Sequence, residues 1–107
     1  MIDPGELNRR LVLEAPAEIA DGAGGVTRTY TTVTTLWAAV RPASARGDVV
    51  AAASGATVTH RIILRTRADL TTRHRLRDGT RIFRIVALRD HDGAGRFIEI
   101  AAEERVD

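Results

Sequence analysis

Alternation of apolar and polar positions every two residues dominates the chain, and helical spacing is almost absent. In residues 6–14, Leu7, Arg9, Leu11 and Leu13 share one face, which predicts a first strand. Pro16 is expected to end it, because proline has no N–H to give to a ladder. Asp21-Gly22-Ala23-Gly24-Gly25 reads as a turn cluster that tolerates positive φ. Residues 26–41 are rich in threonine, valine and aromatics and predict a second strand. Its apolar positions change parity between Val33/Trp37 and Leu36/Val40. Strict alternation would leave half of them in water, so a bulge or sharp bend is expected near Thr34-Thr35, of the kind small barrels use to close.

Pro42 closes that strand. Residues 43–56 are small and weakly patterned. Ala45, Val49, Ala52 and Ala53 admit a short helix over about 46–53, which Gly47 and Gly55 weaken. A third strand is expected over 57–66, with Val58, His60, Ile62 and Leu64 on one face. Residues 67–79 read as a loop holding a short strand at Arg75-Leu76-Arg77, and Asp78-Gly79 is a tight-turn signal. Residues 80–89 form a strand with Phe83, Ile85 and Ala87 on one face and Ile82, Val86 and Leu88 on the other. A hairpin turn at residues 90–95 leads to a last strand over 96–102, with Ile98 and Ile100 as core candidates, and then an acidic tail. Among the aromatics, Trp37 and Phe83 are expected in the core. Five or six short antiparallel strands in one all-β domain, with a long insertion over about 43–56, predict a small antiparallel β-barrel or sandwich.

The chain has 107 residues, enough for one core. Without cysteine it has no disulfide framework, thiolate metal site or thiol nucleophile. No apolar run approaches the ~20 residues of a membrane span. The first six residues lack the apolar region of a secretion signal, so the cytosol, or a particle assembled there, is the expected compartment. All 16 basic residues are arginine. Residues 1–24 carry two Arg against five acids, and residues 90–107 two against six; between them, residues 61–89 carry nine Arg against two Asp. A basic middle between acidic ends points to charged partners.

Catalytic constellations do not emerge. Gly22-Ala23-Gly24-Gly25 precedes a strand rather than a helix, so it is a turn and not a phosphate cradle. Arg46-Gly47-Asp48 spells an adhesion tripeptide, which we treat as chance. His60, His74 and His91 make no metal-spaced pair, and His60 reads as a packing residue. Ser44 and Ser54 lack the setting of a nucleophile elbow. No cofactor, metal or enzymatic activity is expected. The arginine run, Arg61 to Arg89, fits either phosphates of a nucleic acid or an acidic flank of another copy. The scarcity of aromatics for base stacking favours protein contact.

Taken in order, the segments resemble the bacteriophage head–tail joining family, also called head-closure, head-completion or stopper proteins, with relatives in gene transfer agents and prophages. Four stretches carry the likeness. Asp3-Pro4-Gly5-Glu6-Leu7-Asn8-Arg9-Arg10-Leu11 opens it. Asp21-Gly22-Ala23-Gly24-Gly25-Val26-Thr27 follows, leading through Tyr30 to Leu36-Trp37-Ala38-Ala39-Val40. Val58-Thr59-His60-Arg61-Ile62 runs on into Ile63-Leu64-Arg65. Asp78-Gly79-Thr80-Arg81-Ile82-Phe83-Arg84-Ile85-Val86 and Arg96-Phe97-Ile98-Glu99-Ile100 close it. Tyr30 stands where a tryptophan is common, and Ala101-Ala102 where a bulkier residue is.

The resemblance implies a six-stranded antiparallel barrel with one long inserted loop between strands 2 and 3. It also implies a ring of copies, typically twelve, under the portal or its adaptor in the virion neck. There the ring joins the DNA-filled head to the tail, with transient DNA contact and no membrane. The gating loop of some members corresponds here to residues 43–56, with Arg46, Gly47, Asp48, Val49 and Val50 at its centre, and it is expected to be mobile. Charge adds that some of Arg61, Arg65, Arg73 and Arg75 should meet acids such as Asp90, Glu99, Glu103 or Glu104 of a neighbour. Exposed pairs are weak, so the isolated chain should be a monomer. The rival readings are a nucleic-acid-binding barrel and another small connector part such as a tail terminator.

Overall fold

Alternation becomes a closed wall. The computed structural model describes residues 4–43, 58–67, 69–91, 93 and 95–106. A 3-10 turn at Pro4–Glu6 leads into β1 (Arg9–Ala20), β2 (Val26–Pro42), β3 (His60–Arg65), β4 (Arg75–Asp78), β5 (Arg81–Asp90) and β6 (Phe97–Val106). Every pairing is antiparallel, and the six strands close as a barrel in the order β1-β2-β3-β6-β5-β4. Inward positions meet at the centre: Leu11 and Leu13 of β1, Ile62 and Leu64 of β3, Leu76 of β4, Phe83 and Ile85 of β5, and Ile100 and Ala102 of β6, with Leu70 below them. The edge of the His60 ring packs on Phe83 at 5.3 Å between centroids, which makes this histidine part of the core's lining. A smaller apolar cluster lies on the outer wall, where Leu7, carried in by the N-terminal turn, covers Ala39, Ile63 and Phe97.

Two bulges set which residues face inward. Leu13 pairs with Thr34 and Glu14 with Thr32, so Val33 is the extra residue of β2. This is the bend expected near Thr34-Thr35, displaced by one residue. It turns Leu36 towards the core and Trp37 outward. Trp37 is therefore not a core residue: it is 57% exposed on the wall, with the Arg10 guanidinium over its ring at 5.6 Å. On β5 the register shifts between Ile85 and Ala87, leaving Val86 unpaired. Phe83 and Ile85 face inward as expected, but Leu88 rather than Ala87 packs on the core.

Two predicted strand ends move. Pro16 does not stop β1, which continues to Ala20 as one arm of a hairpin projecting beyond the barrel. Its ring is tolerated because β4 leaves β1 after Glu14, so Pro16 lies on an edge where no ladder bond is asked of it. The acidic tail is likewise a strand: β6 runs through Glu103 and Glu104 and pairs with β5 down to Arg81. Of the carboxylates that looked like a solvated tail, Glu103 thereby stands opposite Arg84, and Glu104, opposite Phe83, reaches Arg81. The insertion over 43–56, with Arg46 to Val50, falls almost wholly outside the described residues.

Phe83 is fully buried beneath His60 and among the side chains of every other barrel strand. Phe83→Ala should cost about 3–5 kcal/mol, read as a lower urea midpoint with an unchanged slope.

Candidate functional site: shared carboxylates and an arginine groove

The sheet's outer face carries charge in a repeated arrangement. Glu14, outward by alternation from the inward Leu13, is only 3% exposed. Its Oε1 accepts a hydrogen bond from Arg75 Nε at 2.7 Å, and Arg77 Nη2 lies 3.5 Å from Oε2. The Arg75 guanidinium also stacks on Tyr30 at 3.8 Å. Glu18, on the same face four positions on, is approached by Arg28 at 3.1 Å and Arg73 at 3.9 Å. Glu103 of β6 stands between Arg84 at 3.7 Å and Arg105 at 3.2 Å. Each of these carboxylates is shared by two guanidiniums.

The three clusters surround a groove of about 420 Å³ between the root of the hairpin and the β4–β5 wall. Arg28, Arg73, Arg75, Arg84 and Arg105 line it, with Tyr30, Pro16 and Ile82 as its apolar surface and His74 at its side. His74 is held in a turn, its Nδ1 accepting from the Thr71 N–H at 3.2 Å. Five guanidiniums against Glu14, Glu18 and Glu103 leave a net positive groove. Its chemistry is to receive anionic groups: preorganised arginines bind carboxylates or phosphates by charge-assisted hydrogen bonds. Of the predicted basic residues, Arg73 and Arg75 belong here.

Arg61 and Arg65 lie on a different part of the wall. Arg61 donates to Glu99 Oε2 at 2.7 Å, Arg89 Nε donates to the same oxygen at 2.6 Å, and His91 Nδ1 is 3.4 Å from Oε1. Glu99 is 8% exposed. Burial alone would raise its carboxyl, but the Arg89 hydrogen bond and the charges of Arg89 and Arg61 outweigh it and hold it below the usual range. Arg65 lies over the Phe97 ring at 5.8 Å. Glu104 binds Arg81 through two hydrogen bonds of 2.8 and 3.1 Å, and its carboxyl is likewise held low. Asp90 Oδ2 accepts the Gly95 N–H at 3.2 Å across the β5–β6 turn. Glu99, Glu103 and Glu104, singled out for contacts with a neighbour, thus already have partners in their own chain.

Sequence reasoning missed Glu14, Glu18, Arg28, Tyr30 and Arg105, and had Arg84 only as one member of the arginine run. Glu14 and Arg75 are 61 positions apart, and only barrel closure brings them together. Among the described residues no group of three or more His, Asp or Glu side chains is placed to hold a metal ion.

Comparison with known proteins decides the family. The model of the phage head completion protein family matches residues 2–105. The chain belongs to the phage head completion protein family. Among solved structures, this family member is similar to a chain in the virion of a native gene transfer agent particle. The two are 32% identical with a TM-score of 0.67, over 94% of this chain and 96% of that one. It is also similar to a protein from Shigella flexneri 2a solved in solution, at 27% identity and a TM-score of 0.76, over 96% of both chains. A search of curated proteins found no match. The family assignment makes the chain a structural head-closure protein of a phage or phage-like particle.

Because the Glu99 and Glu104 carboxyls are held below their usual pKa, their contribution to stability is full above about pH 4.5. It is lost as pH falls through the lowered values. Urea midpoints measured from pH 7 to pH 3 should fall in the acid part of that range. Glu99→Gln should cost about 1–3 kcal/mol at pH 7 and flatten the acid decline.

Proposed function

We propose that this head completion protein acts as a passive ring component of the virion neck, under the portal or its adaptor, joining the DNA-filled head to the tail. The family match along residues 2–105 carries this reading, because it spans the whole barrel rather than one motif. A ring, with twelve copies as the expected number, uses heterologous contacts in which one patch meets a different patch of the next copy. The shared carboxylates support that use. Each of Glu14, Glu18 and Glu103 neutralises one of the two guanidiniums it touches, and the remaining positive charge is available to acids of a neighbour or of the adaptor.

Arg61, Arg65, Arg73 and Arg75 are the basic side of such contacts, and Asp90, Glu99, Glu103 and Glu104 the acidic side. Arg73 is the readiest, since its side chain is 69% exposed and stands 3.9 Å from Glu18. The segment Arg46 to Val50 is assigned to the channel, where it meets passing DNA transiently. Exposed ion pairs contribute roughly 0–1 kcal/mol each, so copies assemble only on the portal platform.

Light scattering of the pure protein should report a monomer at micromolar concentration. Particles lacking the protein should accumulate as filled heads without tails, and the purified protein should restore joining in an extract. Arg73→Glu should lower that restoration at least about tenfold while leaving the unfolding free energy from urea titration within ~0.5 kcal/mol of the parent. Full joining by Arg73→Glu would remove the basic groove from the reading. Tight, salt-sensitive DNA binding by the monomer would favour the nucleic-acid-binding alternative instead.

A further inference from the structure

Among the described residues, exposed large apolar side chains lie at two places on β1 and β2. Ile19 and Val26 are at the tip of the hairpin, and Val33 and Trp37 are where β2 joins the wall. Around Trp37 the outer wall carries a row across four neighbouring strands. Arg10 of β1 stands opposite Trp37 of β2. Arg65 of β3 lies one step past the Ala38–Leu64 pair, beside Trp37, and Phe97 of β6 is opposite Arg65. Guanidiniums and rings alternate along the row, Arg10 over Trp37 at 5.6 Å and Arg65 over Phe97 at 5.8 Å. Beside it a hollow of about 420 Å³ is lined by Leu7, Asn8, Trp37 and Arg65.

Charge marks the same two places. Arg61, Arg75, Arg81, Arg84 and Arg89 each lean on a carboxylate of their own chain. Among the described residues, no carboxylate faces Arg10 or Arg65. A guanidinium stacked on a ring keeps its in-plane N–H donors for a carboxylate. At the tip the converse holds. Asp21 Oδ1 accepts the Ala23 and Gly25 N–H groups at 2.8 and 3.1 Å, and among the described residues no guanidinium reaches this carboxylate. One patch thus joins an apolar hollow to two unpartnered cations. The other joins an exposed isoleucine to an unpartnered acid two residues on.

We propose that the hairpin tip of one copy seats in the Trp37 hollow of the next, with Ile19 against the indole and the Asp21 carboxylate on Arg65 and Arg10. A second copy is the occupant because the chain carries both halves of the contact and cannot join them itself. The rise of a strand puts the tip about 33 Å from Arg10 along the one continuous strand β1. The contact therefore runs head to tail between copies, one patch on a different patch. It deepens the ring reading of the proposed function and rests on that reading for its setting. Base stacking by a nucleic acid is disfavoured, since the Arg10 guanidinium already lies over the indole. A contact this small is weak, so free copies stay apart and meet where a platform raises their effective concentration.

The chain has no cysteine and one tryptophan, so both residue types serve as reporters. Purified Ala20→Cys and Asn8→Cys chains, mixed at about 0.1 mM under mild oxidation, should form the mixed disulfide at least about tenfold faster than either forms its own. Asp21→Asn keeps the acceptor that holds the turn and removes the charge. Placed in the Ala20→Cys chain it should slow the mixed disulfide about threefold, as should Arg65→Gln in the Asn8→Cys chain. In the free chain Trp37 should be quenched by acrylamide as an open indole is. A shielded Trp37 would mean that the chain covers its own hollow, and would overturn the proposal. So would a mixed disulfide no faster than the two symmetric ones, a rate indifferent to both charge substitutions, or quenching of Trp37 by micromolar oligothymidylate. No particle enters this test. A mixed disulfide without head–tail joining upholds the contact and removes its place in the neck; joining without the mixed disulfide overturns the contact and leaves the neck reading standing.

Discussion

Closure of the barrel depends on its shortest ladder. β1 and β4 meet over only three residue pairs, Val12–Arg77, Leu13–Leu76 and Glu14–Arg75. Leu13 and Leu76 are fully buried on the inner side of that seam, and Glu14 is held by Arg75 and Arg77 on the outer side. The seam is therefore fastened on both faces, by apolar contact within and by a nearly buried carboxylate held by two partly exposed arginines without. A carboxylate so enclosed is tolerated only while its partners stay in place. Closure in turn removes the open edges of β3, β4, β5 and β6, which would otherwise invite pairing with other chains.

The same seam positions the hairpin and the arginine groove. Past Glu14, β1 no longer has β4 beside it, and the hairpin leaves the wall. Its root, with Tyr30 and Glu18, forms one side of the arginine groove, and β4 with β5 forms the other. A head completion protein has to be stable as a small unit and still present surfaces for joining. Here the barrel provides the first, and the arginine groove is the surface proposed for the second. An emergent two-stranded ribbon has few buried contacts, and it belongs to the least stable part of the molecule.

Charge along the chain changes its meaning once folded. Acidic ends and a basic middle suggest that copies attract one another. In the barrel, β6 lies beside β5 and β1 beside β4, so much of that complementarity is spent within one molecule: Glu104 with Arg81, Glu103 with Arg84, Glu99 with Arg89 and Glu14 with Arg75. What is left over is a surplus of arginine over carboxylate, concentrated where single acids serve two guanidiniums.

Strand identity, the β2 bend, the turn at Asp78-Gly79, Leu11 and Leu13 of β1 (though not Leu7, which covers the outer wall) and the inward sets of β3 and the first half of β5 were legible in the sequence. Each depends on two-residue alternation or on turn residues, which act between near neighbours. The family was legible in the order of its segments. Tertiary structure alone decided the rest. Pro16 could stay in a strand because that stretch of β1 is an edge. Trp37 could face water because a one-residue bulge at Val33 reversed its side. Glu14 found Arg75 because the wall closed on itself. Long-range pairing puts these residues side by side, and periodicity along a chain does not record which strand will lie next to which.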